Sequence, residues 1–258
     1  APSTYFLGMT TIILSGIALK KTRLLGGLAS PFIMELPAYH WPKALSVFRY
    51  ALGKAMSFVK RAGTIIFSLT ILIWFLSSYN FSLQAVHTHQ SILASLGKSI
   101  AWIFEPLGFG NWKATIAAVT GLAAKETVVA TFGILYNDSS TSGLSAALRV
   151  DYTSLAAYSF LTFNLLCAPC IAAMGAIKRE MGDLKWTLGA IGFQTGLAYV
   201  VSLVLYQFGL VLLLEQPITI WTGLAVLLLV GMLYFILRKP HHQKETVITL
   251  NTLANAHL

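Results

Sequence analysis

Two short runs place reactive residue types where such residues are rare. Lys125 and Glu126 stand side by side inside the apolar stretch 115–136, and Cys167-Ala168-Pro169-Cys170 lies deep in the apolar stretch 152–177. An ionised side chain at the bilayer centre costs at least about 2.5 kcal/mol, so such groups face a protein interior or a water path and mark function. Neighbours on a helix point about 100° apart and neutralise each other poorly. Lys125 and Glu126 therefore each need another partner, or the backbone there is unwound. If the helix ran on through the cysteines, Asn164, Cys167, Cys170, Ile171 and Met174 would share an arc of roughly 120°, a stripe of oxygen and sulfur donors. Pro169 has no amide hydrogen to return to Leu165. A freed carbonyl beside two thiols and a thioether suits a soft or borderline divalent metal better than magnesium or calcium, and Glu126 would help to balance a dication. The same residues admit plainer readings: buried thiols that merely pack, a CxxC redox pair, and a structural ion network around Lys125 and Glu126.

The elements that must position these runs are membrane helices. Of 258 residues 56% are hydrophobic and only 10% are charged, against about a quarter charged in soluble domains. Stretches 4–19, 62–79, 115–136, 152–177, 186–214 and 218–237 approach or exceed the ~20 residues that cross a hydrocarbon core about 30 Å thick. The net charge of +9 reads as a topology signal rather than as a nucleic-acid footprint. Fourteen of the 18 lysines and arginines flank the first, second, fourth, fifth and sixth stretches on what is then the cytoplasmic side, while Lys98, Lys113 and Arg149 fall in the intervals that become external. Six simple crossings cannot satisfy this pattern, so one stretch must begin and end outside. That stretch is 115–136. Irregular backbone at membrane depth survives only when buried in protein or lining a watery cavity, which is what Lys125 and Glu126 demand independently.

The expected fold is therefore all-α: a polytopic transmembrane helix bundle, residues 1–239, of about five spans plus one re-entrant or broken gate segment. A polar, flexible cytoplasmic tail follows over 240–258. Pro31, Pro37 and Pro42 make 26–42 a loop, which contains Glu35, either a loop residue or part of an exit path. Leu45, Phe48, Leu52, Met56 and Val59 recur at helical spacing with Lys43, Arg49, Lys54 and Lys60 on other faces, which predicts a cytoplasmic amphipathic helix over 43–60, suited to anionic lipid or to a cytosolic domain. Ile92, Leu93, Leu96, Ile100, Ile103 and Phe104 predict an external interfacial helix over 91–105. Gly189, Gly192 and Gly196 offer a small face for close helix packing. His87 and His89 lie in the external loop, and no histidine sits in a span.

No GxxxxGK[ST] phosphate loop, HExxH motif or GxSxG elbow occurs, so an intramembrane enzyme is the weaker class. The start at Ala1-Pro2-Ser3, without methionine or a signal-peptide pattern, leads us to expect a piece of a longer polypeptide.

Four runs carry a family resemblance: Pro31-Phe-Ile-Met-Glu-Leu-Pro37, Lys60-Arg-Ala-Gly-Thr-Ile-Ile66, Gly121-Leu-Ala-Ala-Lys-Glu-Thr-Val-Val129 and Cys167-Ala-Pro-Cys-Ile-Ala-Ala-Met-Gly-Ala-Ile-Lys-Arg-Glu180. In this order, and extended by 199–209, they resemble the C-terminal membrane region of FeoB, the bacterial ferrous iron transport protein B family. The resemblance implies import of Fe²⁺ as cargo across the bacterial plasma membrane, with the C-terminus cytoplasmic. It also implies coupling to GTP through a GTPase domain which, like the connector and the first gate region of the same protein, does not occur in this chain. The second gate falls near Gly121 to Tyr136. Glu126 and Cys170 become the leading candidates for the iron path, with Cys167, Asn164 and Met174 beside them, and Lys125, Gly121 and Glu35 as gating residues. Membrane lipid and a second copy of the chain are the further partners that the reading admits, and nucleic acid is not one. Two rival classes stand beside this reading: a gate-type carrier of nucleosides or another organic solute, and a non-transporting membrane scaffold.

Overall fold

A computed structural model describes residues 2–22, 41–123, 125–136 and 141–238. Among these residues every regular element is a helix, and the only strand-like feature is an isolated bridge between Tyr79 and Ala85. The helices are α1 (Pro2–Lys20), α2 (Ala44–Ser78), α3 (Ile92–Ala101), α4 (Trp112–Ala123), α5 (Thr127–Tyr136), α6 (Thr141–Asp151), α7 (Ser154–Leu166), α8 (Ile171–Met181), α9 (Leu184–Leu214) and α10 (Ile220–Leu237). Three of them, α1, α9 and α10, are long and apolar enough to cross a membrane. The architecture is that of an all-α membrane bundle.

The chain divides into two units. One contains α1 and the end of α10 from Val226 onward, and there the Lys21 ammonium donates to the Ile236 carbonyl, filling an otherwise unpaired acceptor in the last turn of a helix. The other runs from Trp41 to Ala225 and holds every candidate site residue except Glu35, which lies outside the described residues, as do the rest of 23–40 and the tail 240–258.

In the larger unit the amphipathic stretch 43–60 and the apolar stretch 62–79 are one helix of 35 residues, α2. No proline separates them, and Lys60-Arg61 does not break a helix on its own. At 1.5 Å per residue α2 is about 50 Å long, well beyond the ~30 Å of a hydrocarbon core. Leu45, Phe48, Leu52, Met56 and Val59 are exposed along its first half.

The packed centre is made by α3, α4, α5, α7 and α9 with the 3-10 turn Glu105–Leu107. Ser91 caps α3 by accepting from the Ala94 amide at 3.2 Å, and Thr153 caps α7 by accepting from Ala156 at 3.2 Å, each satisfying a first-turn donor. An aromatic cluster joins these elements: Phe109 packs on Phe104, Phe160 and Phe163 with ring centroids 5.3–6.0 Å apart, and Phe132 of α5 reaches Phe160 at 5.6 Å. Small hydroxyl residues bring α7 and α9 together: Ser159 and Ser202 share a 2.8 Å bond, and the Ser202 hydroxyl donates to the Ser159 carbonyl at 2.7 Å. Such polar and small contacts tighten helix pairs where lipid provides no hydrophobic drive. Gln207 of α9 donates to the Pro106 carbonyl at 2.7 Å and fixes the 3-10 turn to the same helix. Gly108 ends that turn at φ 86°, and a Cβ there would lie 2.1 Å from the Tyr206 ring, so only glycine fits both the conformation and the space. Gly189, Gly192 and Gly196, by contrast, have nothing within 4 Å of where a Cβ would stand. The close approach expected at those three positions is made instead by Ser159 and Ser202.

Candidate functional site

Each chemistry-bearing run coincides with a helix break. In the first, α4 ends at Ala123 and α5 begins at Thr127, with Lys125 and Glu126 in the turn between. Threonines repair the local backbone: the Thr127 hydroxyl donates to the Thr120 carbonyl at 3.3 Å, and the Thr120 and Thr131 hydroxyls meet at 3.1 Å. Thr127 and Thr131 are buried. Hydroxyl side chains are what satisfies freed backbone groups in broken membrane helices.

In the second break the helix does not run on through the cysteines. It stops at Leu166, passes through extended backbone at Cys167 (ψ 168°) and Cys170 (ψ 159°), and resumes at Ile171. The stripe drawn for an unbroken helix is thereby divided between α7, which carries Asn164, and α8, which carries Met174. Pro169 is the cause, since it offers no amide to Leu165 and disfavours helix at the residue before it. Cys167 closes the last turn of α7: its amide donates to Phe163 at 2.8 Å and its thiol to the Asn164 carbonyl at 3.3 Å. Both thiols are free, Cys167 fully buried and Cys170 half-buried.

The two breaks meet. The Lys125 ammonium donates to the Leu165 carbonyl at 3.2 Å and to the Cys167 carbonyl at 3.3 Å. It thus fills the oxygen that Pro169 leaves unpaired and sits where the negative end of the α7 dipole is strongest. Gly121 brings α4 and α7 together at the same level: a Cβ there would lie 2.7 Å from Asn164 Oδ1 and 2.7 Å from Val128 Cγ2. Asn164 donates through Nδ2 to Phe160 at 3.0 Å, while its Oδ1 is buried without a hydrogen-bond partner. A buried acceptor without a donor is costly. It is an oxygen available to a cation.

The remaining sequence candidates are distributed differently. Glu126 is exposed. Cys170 lines a cavity of about 860 Å³ together with Arg49, Lys54, Ser57, Arg179 and Glu180, and Glu126 is not in that lining. Met174 is half-buried on α8. No group of three or more His, Cys, Asp and Glu side chains is gathered among the described residues, so any cation held at the breaks relies on carbonyl and amide oxygen as much as on side-chain charge. His89 packs edge-on against Trp112 at 5.4 Å.

One cluster escaped the sequence reading. Asp151, at the end of α6, accepts from the Tyr136 hydroxyl at 2.5 Å and pairs with Lys113 at 3.5 Å, while the Lys113 ammonium stands 3.6 Å from the centre of the Tyr136 ring. It ties the start of α4 to the ends of α5 and α6. In the sequence Lys113 reads only as a topology charge, and no spacing pattern connects residues 23 and 15 positions apart. Beside the cluster lies an apolar cavity of about 350 Å³ lined by Phe132, Tyr152, Phe160 and Leu161 among others.

Two family models match the chain: "Ferrous iron transport protein B C terminus" over residues 1–54 and the Gate model, "Nucleoside recognition", over residues 59–184, which includes both breaks. Among relatives, the Fe(2+) transporter FeoB of Staphylococcus aureus strain COL is 37% identical over 207 residues, covering 80% of this chain and 31% of the relative. The Fe(2+) transporter FeoB of Methanocaldococcus jannaschii is 34% identical over 215 residues, 80% of this chain and 32% of its own length. A protein of Porphyromonas gingivalis named Fe(2+) transport protein A/Fe(2+) transporter FeoB fusion protein is 31% identical over 254 residues, covering 80% of this chain and 30% of that protein. The chain thus spans about a third of the length of the curated relatives it matches. No solved structure matches it.

Proposed function

Because the chain belongs to the ferrous iron transport protein B family, in its C-terminal membrane region, we propose that it forms the C-terminal part of a ferrous iron permease whose ion path passes between the two facing helix breaks. One observation carries the proposal. A cationic side chain from one break is held by two backbone carbonyls of the other, so this point of the membrane bundle stabilises positive charge without a carboxylate. Broken helices present carbonyl ends to transported cations in the same way. Fe²⁺ is the cargo. It would exchange water for the Leu165 and Cys167 carbonyls and Asn164 Oδ1, with thiol sulfur from Cys167 favouring a transition metal over magnesium. Cys170 then opens onto the cavity shared with α2 and α8, the inward side if the basic clusters mark the cytoplasm. Met174 stands one turn further along α8, and Glu126 and Glu35 serve the approach and the exit.

The same reading places the chain in the bacterial plasma membrane, its C-terminus in the cytoplasm, and makes GTP-driven coupling the task of a GTPase domain and a first gate region on the same protein. The exposed first half of α2 is suited to lipid or to a second copy of the chain. The test is anaerobic Fe²⁺ uptake by the full-length protein in liposomes, comparing wild type with Asn164→Ala, Cys167→Ser, Cys170→Ser and Glu126→Gln. Loss of uptake in the first three is expected. Undiminished uptake in all four would remove the path.

A second reading, transport of a nucleoside or similar organic solute, draws on the description of the Gate model and on the apolar cavity beside Phe132, Tyr152 and Phe160. Competition of Fe²⁺ uptake by Mn²⁺, Zn²⁺ and nucleosides separates the two, because inhibition by nucleosides alone favours the organic solute.

A further inference from the structure

We infer that Lys125 is a tethered stand-in for the transported ion: its ammonium occupies the carbonyl pair of Leu165 and Cys167 when no metal is present, and an arriving divalent cation must displace it. The inference rests on the ion path proposed above and adds to it a competitor that belongs to the protein.

A helix break at membrane depth leaves carbonyl oxygens without their helical donors. The Leu165 carbonyl has lost its helical donor to Pro169, and the Cys167 carbonyl lies beyond the end of α7. In a medium without water such oxygens need a partner. A lysine 40 residues away in sequence supplies it, at 3.2 and 3.3 Å. Lys125 makes no ion pair among the described residues, where the only pair joins Lys113 to Asp151. Its charge is therefore compensated by backbone dipoles and the α7 C-terminus. A site of this kind is a cation site by construction, and the atoms that hold the ammonium are those a metal ion would use. The unpartnered Asn164 Oδ1, buried on the same turn of α7, independently marks a missing ligand there.

Occupancy by a tethered monocharge has two consequences. The oxygens are never left bare between transport events, so the break stays folded. Second, an ion must outcompete an ammonium already in place, which a divalent cation can do through its second charge and Na⁺ or K⁺ cannot. Lys125 thereby sets a threshold for entry. Each charge-assisted hydrogen bond is worth about a factor of ten in an equilibrium constant, so removing the competitor is expected to tighten Fe²⁺ binding by about tenfold or more.

Three variants of the full-length protein distinguish this role from a simple helix cap. Lys125→Arg keeps the charge and the donors, Lys125→Gln keeps a donor without charge, and Lys125→Met keeps neither. Two readouts are taken, anaerobic Fe²⁺ binding to purified protein and passive K⁺ leak from liposomes. The expected result is that Lys125→Gln and Lys125→Met both bind Fe²⁺ about tenfold tighter and both leak K⁺, while Lys125→Arg matches wild type. If Lys125→Met does not fold, Lys125→Gln carries the comparison alone. A Lys125→Gln protein indistinguishable from wild type in both readouts overturns the inference, since only a structural cap tolerates loss of charge. Should wild type bind and move no Fe²⁺, the iron path falls on that result, and the leak still decides Lys125: leak in Lys125→Gln but not in Lys125→Arg supports the plug, and no leak in either refutes it.

Discussion

Gly121→Ala is the most direct probe of how closely the two breaks are held together. A Cβ at this position would stand 2.7 Å from Asn164 Oδ1 and 2.7 Å from Val128 Cγ2, about 0.8 Å inside the ~3.5 Å at which non-bonded heavy atoms are at ease. Both neighbours sit close to the breaks, Asn164 one residue before Leu165 and Val128 in the first turn of α5, and both contacts are side-chain ends: relief requires Asn164 to turn, giving up the 3.0 Å bond from its Nδ2 to the Phe160 carbonyl and moving Oδ1, or Val128 to leave its rotamer. Overpacking of this size costs about 1–3 kcal/mol, which in a protein of this length lowers Tm by roughly 2–4 °C per kcal/mol. The assay is thermal unfolding in detergent of the single variants Gly121→Ala, Asn164→Ala and Val128→Ala and of the two doubles that contain Gly121→Ala. Contacting residues couple by about 0.5–3 kcal/mol in such cycles, so each double is expected to be less damaged than the sum of its singles. Fe²⁺ uptake should fall in Gly121→Ala and recover partly in the double with Val128→Ala, which keeps Asn164 Oδ1. A stable Gly121→Ala protein, or strictly additive losses in both doubles, would show that α4 and α7 do not approach as described and would undercut the site as a whole.

Two further outcomes follow from the same geometry. Pro169→Ala supplies an amide able to bond back to Leu165, which should extend α7 and release Lys125; faster acylation of Lys125 by an amine reagent, mapped by peptide mass spectrometry, together with reduced Fe²⁺ uptake, is the expected pair of results, and unchanged reactivity counts against the role given to the proline. At the α7–α9 contact, Ser202→Ala removes both the hydroxyl pair and the 2.7 Å bond to the Ser159 carbonyl and should cost about 1–3 kcal/mol, Ser159→Ala leaves the Ser202 hydroxyl that carbonyl and should cost less, and the double substitution should cost less than the two together; additive losses in thermal unfolding would contradict the pairing.

Much of this was legible in the order of the residues. The apolar stretches and the scarcity of charge require membrane helices wherever they occur, because an unpaired backbone cannot face lipid. Lys125 with Glu126 announces an interruption by elementary chemistry, because adjacent charges point apart; Pro169 announces only a carbonyl without its donor.

What sequence alone left open depends on contacts between residues far apart in the chain. A stripe drawn along an unbroken helix joined Asn164, Cys167, Cys170 and Met174, but extended backbone at Cys167 and Cys170 divides it. Glu126, paired on paper with the cysteines, is exposed. The partner of Lys125 turned out to be the carbonyls of Leu165 and Cys167 rather than a carboxylate, and every residue has a carbonyl, so no residue type could have signalled it. Residue identity determined that this chain enters a membrane and that the stretch around Lys125 and Glu126 must break; tertiary packing decided that this break faces a second one at the cysteines, because only the approach of α4 to α7 at Gly121 brings a lysine within reach of oxygens 40 and 42 positions away.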